Sequence, residues 1–323
     1  MTNRFWFYLS VSAALAVAVC LFVWLRGPAG LRVDTFETAP MTLAATLLLT
    51  LAFLYAFARL LLRSTGSDRA MGLLGLYAVL LWLPFIAYFS SSPRHAAAIC
   101  LLTAALLEIL DLDLSHANAA RSGVFTGLAC VAEPKCAVLA SALLPIVAAV
   151  AWPRWRLPLR FAVAAAVPWF LLTRLLDFGP PLGELFPVRE GAVLSSPAWW
   201  VSTLAKHARG ARSSLEGDFL SPYAAFATAG LVVATVRRMG PSRRSIAAAA
   251  WLFAIAALAT AVLDDSATAF FRSAEYLLLI LLANTGLAAL AAMNPLHAGR
   301  RRMMPAGALF LLPPVIGWLR LLV

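Results

Sequence analysis

A chain of 323 residues in which 62% are hydrophobic and only 13% are charged has too little polar surface to enclose the core of a soluble globular domain. The formal net charge of +11 lies mainly on arginines in short loops between apolar runs, which argues against a nucleic-acid-binding face. The mean hydropathy is +0.85, and the apolar runs are continuous rather than alternating. The composition therefore predicts an all-α, polytopic transmembrane helical bundle, in one domain over residues 1–323.

Ten apolar runs follow one another along the chain, and we interpret them as candidate membrane segments. They cover residues 5–25, 41–62, 71–90, 96–110, 122–152, 161–176, 221–236, 245–263, 273–293 and 305–322. The first run is longer than a signal-peptide core and has no convincing small-residue cleavage site, so we interpret it as a retained span.

The arginine clusters predict the orientation of these runs, because cytoplasmic loops of membrane proteins carry an excess of Lys and Arg. The clusters are Arg4; Arg59, Arg63 and Arg69; Arg154, Arg156 and Arg160; Arg237, Arg238, Arg243 and Arg244; and Arg300, Arg301 and Arg302. All of them lie in the cytoplasm, with the N-terminus inside, only if run 122–152 starts and ends on the same face of the membrane.

Run 122–152 is also too long for a single straight helix, since it would measure about 46 Å against a bilayer core of roughly 30 Å. We predict a hairpin of two legs broken at Glu133-Pro134-Lys135, which brings the count to about eleven membrane segments. Ionisable residues at membrane depth are usually functional. Glu133 and Lys135 are therefore expected to line a cavity or to pair with each other; a structural kink with a neutralising pair is the alternative.

The loop after the first run places two acids, Asp34 and Glu37, beside Arg26 and Arg32. A carboxylate at the outer membrane edge can act as a general base on a hydroxyl group, or it can hold a divalent cation. Two acids in a loop are a weak signal, and the alternative is a solvated loop whose acids pair with its arginines.

The segment 177–220 is predicted to be an extracytoplasmic loop that contains an interfacial helix. Trp199 and Trp200 supply aromatic anchors, and bases that include Lys206 and Arg209 follow them. The helix either anchors the loop at the headgroups or helps to bind a lipid phosphate.

Arg272 is expected at the outer mouth of run 273–293, with Tyr276 one turn further along. The planar guanidinium matches the geometry of phosphate, so this position suits a phospholipid substrate. An ordinary interfacial pair of Arg and aromatic is the alternative.

The four cysteines, Cys20, Cys100, Cys130 and Cys136, lie in or beside apolar runs and do not look like a disulfide framework. The spacing of Cys130 and Cys136 does not match a metal-binding or redox motif. Both are expected to be packing residues, and no metal site is predicted at them.

The order of these segments resembles that of the GT-C superfamily, polytopic glycosyltransferases that use polyprenyl-phosphate sugars at the outer membrane face. Residues 39–90 are similar to the second and third spans of that family, and "SGVFTGLACVAEPKCAVLASALLP" is similar to its Gly-Leu-x-x-x-x-Lys-Pro segment. "VPWFLLTRLLDFGPPLGELF" resembles its Pro-Trp and Phe-Gly-x-Pro-Leu exit, and "FRSAEYLLLILLANTGLAAL" resembles its Arg-Tyr span. The resemblance covers about residues 40–295 and depends on order more than on any single motif.

The resemblance implies transfer of a sugar from a polyprenyl-phosphate lipid to an extracytoplasmic glycan, lipid or protein acceptor, in the bacterial inner membrane. By position, Asp34 would be the catalytic base, with Glu37 as the substitute candidate. Arg272 would contact the donor phosphate, helped by Lys206 or Arg209. The cofactor that this arrangement allows is a divalent cation at the Asp34 loop.

Three positions depart from the family pattern. Glu133 occupies the family's lysine position, Lys135 is displaced past the proline, and His95 lies roughly where the family often has an acid in the second outer loop. The resemblance therefore allows a minimal enzyme or a non-catalytic membrane scaffold or lipid-binding partner.

An exosortase-like cysteine transpeptidase is the rival interpretation, because Cys130 or Cys136, Arg174 and His207 occur in the order typical of that class. A thiolate near cationic Arg and His would be activated. The Ser-Gly expected after the cysteine is missing, however, and that fold would expose an arginine-rich loop to the outside. A small-solute transporter ranks below both, since no inverted repeat is visible.

Overall fold

The described part of the protein is all-helical in this computed structural model. The structure describes residues 40–64, 69–81, 89, 93–110, 115–175, 196–213, 223, 227–228, 232, 240–263, 265–292, 310–312 and 314–316. Its helices are α1 (Pro40–Ser64), α2 (Arg69–Leu81), α3 (Pro93–Ile109), α4 (His116–Ala132), α5 (Cys136–Ala151), α6 (Arg156–Leu175), α7 (Pro197–Ser213), α8 (Gly240–Val262) and α9 (Asp265–Ala292).

Four of the described helices, α1, α6, α8 and α9, are long and apolar enough to cross a membrane, which indicates a membrane protein. They differ in their surroundings: α9 is almost wholly buried at the centre of the bundle, whereas α6 lies at the periphery and buries few of its described side chains. The apolar outer face of α6 is what a helix in contact with lipid requires.

Five predicted runs coincide with helices that begin before the predicted start, and these are 41–62, 96–110, 161–176, 245–263 and 273–293. The predicted ends agree more closely. Hydropathy misses most of the early starts because the first turns are rich in polar residues, such as Arg94 and His95 in α3. Within run 71–90, the structure describes α2 as far as Leu81 and residue 89, and the rest of the run lies outside the described residues. Run 5–25 and most of 221–236 and 305–322 lie outside the described residues.

Two contacts show that α3 and α4 form an antiparallel pair. At one end, His95 Nε2 lies 2.8 Å from Glu133 Oε2. At the other end, Arg121 Nη2 donates to Glu108 Oε2 at 3.0 Å. The chain therefore reverses direction between α3 and α4, over residues 110–115.

Two glycines show that α4 and α6 run in the same direction. A Cβ added at Gly123 would overlap the carbonyl oxygen of Phe161, and one added at Gly127 would overlap that of Ala165. Because the order along α4 matches the order along α6, the helices are parallel, and α5 must run back between their ends. The predicted break at Glu133-Pro134-Lys135 is confirmed, and the chain returns to the end from which α4 started.

The first leg of this hairpin begins at His116, not at residue 122 as predicted. Ser115 caps the helix, since its Oγ accepts a hydrogen bond from the N–H of Asn118 at 3.1 Å. The two legs are then about 25 Å and 24 Å long, each slightly shorter than the bilayer core of roughly 30 Å.

Most of the described arginines gather at one end of the bundle, called the basic end below. Arg63 at the end of α1 donates to the carbonyl oxygen of Leu107 at 2.9 Å, so α1 and α3 finish together. The antiparallel and parallel pairs then place the start of α4, the end of α5 and the start of α6 at this same end. The arginines there are Arg59, Arg63, Arg121, Arg154, Arg156, Arg160 and Arg244. The other end is called the opposite end, and it holds the joint between α4 and α5.

Candidate functional site

The joint between α4 and α5 is a short non-helical connection at the opposite end. Glu133 has an extended backbone, and its N–H still donates to the carbonyl oxygen of Ala129 at 2.9 Å. Pro134 has no N–H to continue the helical pattern, and α5 restarts when the N–H of Cys136 donates to the carbonyl oxygen of Glu133 at 2.9 Å. The break therefore leaves one ionisable residue, Glu133, just outside the regular helix.

The carboxylate of Glu133 contacts the imidazole of His95, with 2.8 Å between Oε2 and Nε2. The side chains are only 11% and 26% exposed, respectively. The sequence predicted that Glu133 and Lys135 would line a cavity or pair with each other. Lys135 does contact Glu133, since its backbone N–H donates to Oε1 at 3.4 Å. The carboxylate thus fixes the orientation of the imidazole ring through Nε2.

Phe270, near the start of α9, packs against this pair, with its ring centroid 6.1 Å from that of His95. Arg272 lies two residues further along α9, or about 200° around the helix axis, and is half-buried on a different face. The structure therefore brings His95 and Glu133 together, but it places Arg272 at the same end without joining it to the pair.

The same part of α9 holds two further buried polar side chains. Tyr276, predicted to lie near a substrate, is 4% exposed, and Glu275, which the sequence interpretation missed, is 8% exposed. The sequence did contain a signal for Glu275, because it follows Arg272 by three residues in an apolar helix. Side chains at that spacing share a helix face, and ionisable residues in such a helix are usually functional.

An apolar cleft of 470 Å³ lies between α5 and α8, and Trp200 of α7 covers part of it. Its lining residues are Val138, Ser141, Ala142, Pro145, Trp200, Trp251, Ile255, Leu258, Ala259, Val262 and Leu263. From Trp251 to Leu263 the cleft follows α8 for about 18 Å and reaches the opposite end. Trp251 is held in place by a hydrogen bond of 3.1 Å from its Nε1 to the carbonyl oxygen of Ala142.

The helix that carries Trp200 was predicted from the sequence, and it is present as α7. Trp199 packs edge-on against Trp200, with ring centroids 5.1 Å apart. Lys206 on the same helix is exposed. The side chains of Arg209 and His207 lie outside the described residues, although their backbone belongs to α7. Helix α7 thus carries both Trp200, which covers part of the apolar cleft, and Lys206, which is exposed on the surface.

A second cavity, in the centre of the bundle, has a volume of only 50 Å³. It is lined by apolar side chains of α1, α3, α5, α8 and α9, apart from Thr103. The hydroxyl of Thr103 donates to the carbonyl oxygen of Ile99 at 2.7 Å and leaves no polar group for a ligand. We interpret this cavity as a packing void.

The remaining predicted site residues fall into two groups. Asp34 and Glu37, with their predicted cation site, lie outside the described residues, as does the side chain of Arg174. Cys130 and Cys136 are described, and both are buried free thiols in the core. Within the described ranges, no three His, Cys, Asp or Glu side chains lie close enough to hold a metal ion.

Comparison of the chain with protein-family models, with curated proteins and with solved structures gives no match in any of the three. The resemblance to the GT-C superfamily thus stays a prediction that depends on the order of the sequence segments.

Proposed function

We propose that this protein is a membrane glycosyltransferase of the GT-C type, which moves a sugar from a polyprenyl-phosphate donor to an extracytoplasmic acceptor. The observation that supports it best is the 470 Å³ apolar cleft, which reaches the opposite end of the bundle and is partly covered by Trp200. A lipid-linked substrate needs an apolar groove that meets basic groups at the membrane surface, and this cleft meets α7 there.

The proposed topology follows from the basic end. Arginine-rich ends of membrane bundles face the cytoplasm, so the opposite end, with the joint, the cleft and α7, is extracytoplasmic. The N-terminus is then inside, and the chain is a multi-pass protein of the bacterial inner membrane with about eleven membrane segments. The break at Glu133 and Pro134 lies near the outer membrane surface, at the same end of the bundle that the cleft reaches.

The donor is proposed to lie with its first isoprene units in the cleft and its phosphate between α7 and the start of α9. Lys206 and Arg209 of α7 and Arg272 of α9 are the bases that stabilise the leaving phosphate. The isoprenoid chain contacts the α5 and α8 walls, including Ser141 and Trp251. In this arrangement the apolar chain of the donor contacts the apolar walls of the cleft, and its charged phosphate contacts the basic side chains of α7 and α9.

The chemical step is assigned to the outer loop. Asp34, with Glu37 as substitute, takes the proton of the acceptor hydroxyl as its oxygen attacks the anomeric carbon from the side opposite the phosphate. The bond between the anomeric carbon and the phosphate oxygen breaks, and Arg272 stabilises the negative charge of the polyprenyl phosphate as it leaves. His95 and Glu133 hold the joint and contact the sugar. A divalent cation is the cofactor that Asp34 and Glu37 can bind in the outer loop.

Filling the cleft is expected to remove the bound donor. In native mass spectrometry of the gently purified protein, we expect a polyprenyl phosphate adduct that falls at least tenfold in Ser141→Trp and in Arg272→Ala. Ser141 lines the cleft, and its hydroxyl donates to the carbonyl oxygen of Val138 at 2.7 Å, one turn earlier in the same helix. The substitution therefore fills space in the cleft and gives up a hydrogen bond within α5.

The matched control is Leu144→Trp, on the same helix and likewise exposed but outside the cleft lining. It should keep the adduct. Ordinary phospholipids alone, unchanged by all three substitutions, would contradict the transferase proposal and favour a non-catalytic membrane scaffold.

The two core cysteines are expected to be dispensable for activity. Cys136 is fully buried and Cys130 nearly so, and a buried thiol in an apolar core is a packing group rather than a nucleophile. The double variant Cys130→Ala, Cys136→Ala should retain more than half of the sugar-transfer rate, measured with a labelled polyprenyl-phosphate sugar. A folded double variant that has lost sugar transfer would contradict the view that the two cysteines only pack in the core.

A further inference from the structure

The turn between α5 and α6 carries exposed aromatic and basic side chains that the proposed function does not use. Trp152 is 84% exposed and Trp155 is 67% exposed, on a turn that belongs to the basic end. Residues 152–160, "WPRWRLPLR", contain three arginines and no acid. Large exposed aromatic side chains beside arginines are typical of the region where lipid headgroups meet water.

Backbone hydrogen bonds fix the shape of this turn. The N–H of Arg154 donates to the carbonyl oxygen of Ala151 at 2.7 Å, and the N–H of Leu157 donates to that of Arg154 at 3.1 Å. The guanidinium carbon of Arg156 lies 5.8 Å from the ring centroid of Trp155, which is within the range of a cation–π contact. The side chains of the turn thus project outward from a defined backbone.

The outer face of α6 continues the same surface away from the turn. Leu157 and Phe161 are buried and attach the start of α6 to the bundle. At 100° per residue, Arg156, Arg160 and the exposed side chains of an apolar stripe fall within about 120° of one another. The stripe consists of Leu159, Val163, Val167 and Phe170. Basic groups therefore occupy the basic end of one helix face, and apolar groups occupy the rest of it.

We propose that this surface, the turn 152–155 together with the outer face of α6, is a binding site for an anionic phospholipid in the leaflet at the basic end. The phosphate lies on Arg154, Arg156 and Arg160, flanked by the two tryptophans, and the acyl chains lie along the apolar stripe. A soluble phosphate or an acidic protein would satisfy the arginines alone, whereas a phospholipid matches both parts of the face. This inference does not depend on the proposed function.

The test compares two lipids on the intact purified protein by native mass spectrometry with added phosphatidylglycerol or phosphatidylcholine. The unmodified protein should bind phosphatidylglycerol at least about a hundredfold more tightly than phosphatidylcholine, as expected from three arginines at an anionic surface. The double variant Arg154→Gln, Arg156→Gln should lose about thirtyfold in affinity for phosphatidylglycerol, as expected from the contribution of each Arg at an anionic surface. Its affinity for phosphatidylcholine should not change.

Two further variants make the result specific. Arg243→Gln with Arg244→Gln removes the same charge from the start of α8 at the same end, and its affinity for phosphatidylglycerol should stay within about threefold. Trp152→Ala with Trp155→Ala retains the arginines, so the affinity for both lipids should fall while the preference for phosphatidylglycerol remains. Equal losses in the two arginine variants, or no preference between the lipids in the unmodified protein, would overturn the proposal.

Discussion

Gly127→Ala is expected to lower the free energy of unfolding by about 3 kcal/mol, at the upper end of overpacking effects. The added Cβ would overlap the carbonyl oxygen of Ala165 and lie 2.7 Å from Pro168 Cγ. Gly123, one turn earlier, has the same relation to Phe161 and Ala164. Because the obstacles include backbone atoms of α6, relief requires the two helices to separate, which breaks the close glycine-mediated packing typical of membrane helices.

The measurement is thermal unfolding in detergent, with Gly72→Ala as the matched control. At Gly72 the nearest atom to an added Cβ is the flexible Leu62 Cδ2, at 3.1 Å. Alanine is also the better helix former, so this control should unfold at the original temperature or slightly above it. A fall of at least about 5 °C is expected for Gly127→Ala. Equal unfolding temperatures for the two variants would show that α4 and α6 are not packed in this way.

Breaking the pair of His95 and Glu133 is expected to produce the second large effect. Each single substitution to alanine should cost about 2 kcal/mol of stability, because it leaves a mostly buried polar group without its partner. The double variant should cost little more than either single one, which corresponds to a coupling energy of about 1–2 kcal/mol. Thermal or denaturant unfolding of the four proteins in the same detergent measures this coupling.

The pair of Glu108 and Arg121 provides the control cycle. It joins the same two helices at the basic end, at 3.0 Å, but its side chains are 24% and 58% exposed. Its coupling should be about 0.5 kcal/mol or less, as for other exposed pairs. Coupling energies of equal size at the two ends would contradict the view that the joint at Glu133 is a protected polar site.

Much of the helical arrangement could be predicted from local chemistry. The break between α4 and α5 follows from Pro134, which cannot donate the helical hydrogen bond, and from a run too long for one straight membrane crossing. The gathering of the described loop arginines at one end follows from the requirement that the chain return after that break. The helix α7 follows from its aromatic and basic composition.

The partners across the bundle could not be predicted in the same way. Glu133 was identified as a candidate, but its contact with His95 depends on the register of α3 against α4, and that register depends on how whole helix faces pack. Helix phase separates Arg272 from Phe270 by about 200° around the axis of α9, but which of the two lies beside His95 depends on how α9 packs in the bundle.

Local chemistry is enough to predict which segments are helical and apolar, where the long run breaks and which loops carry positive charge, because hydropathy, proline and charge act locally along the chain. Packing in the folded bundle, in contrast, places Trp200 on a cleft between α5 and α8 and brings Gly127 against the backbone of α6. It also decided that Trp155 and Arg156 share an outward surface with the apolar stripe. These features come from contacts between distant helices, whose geometry is set by side-chain packing rather than by local preference.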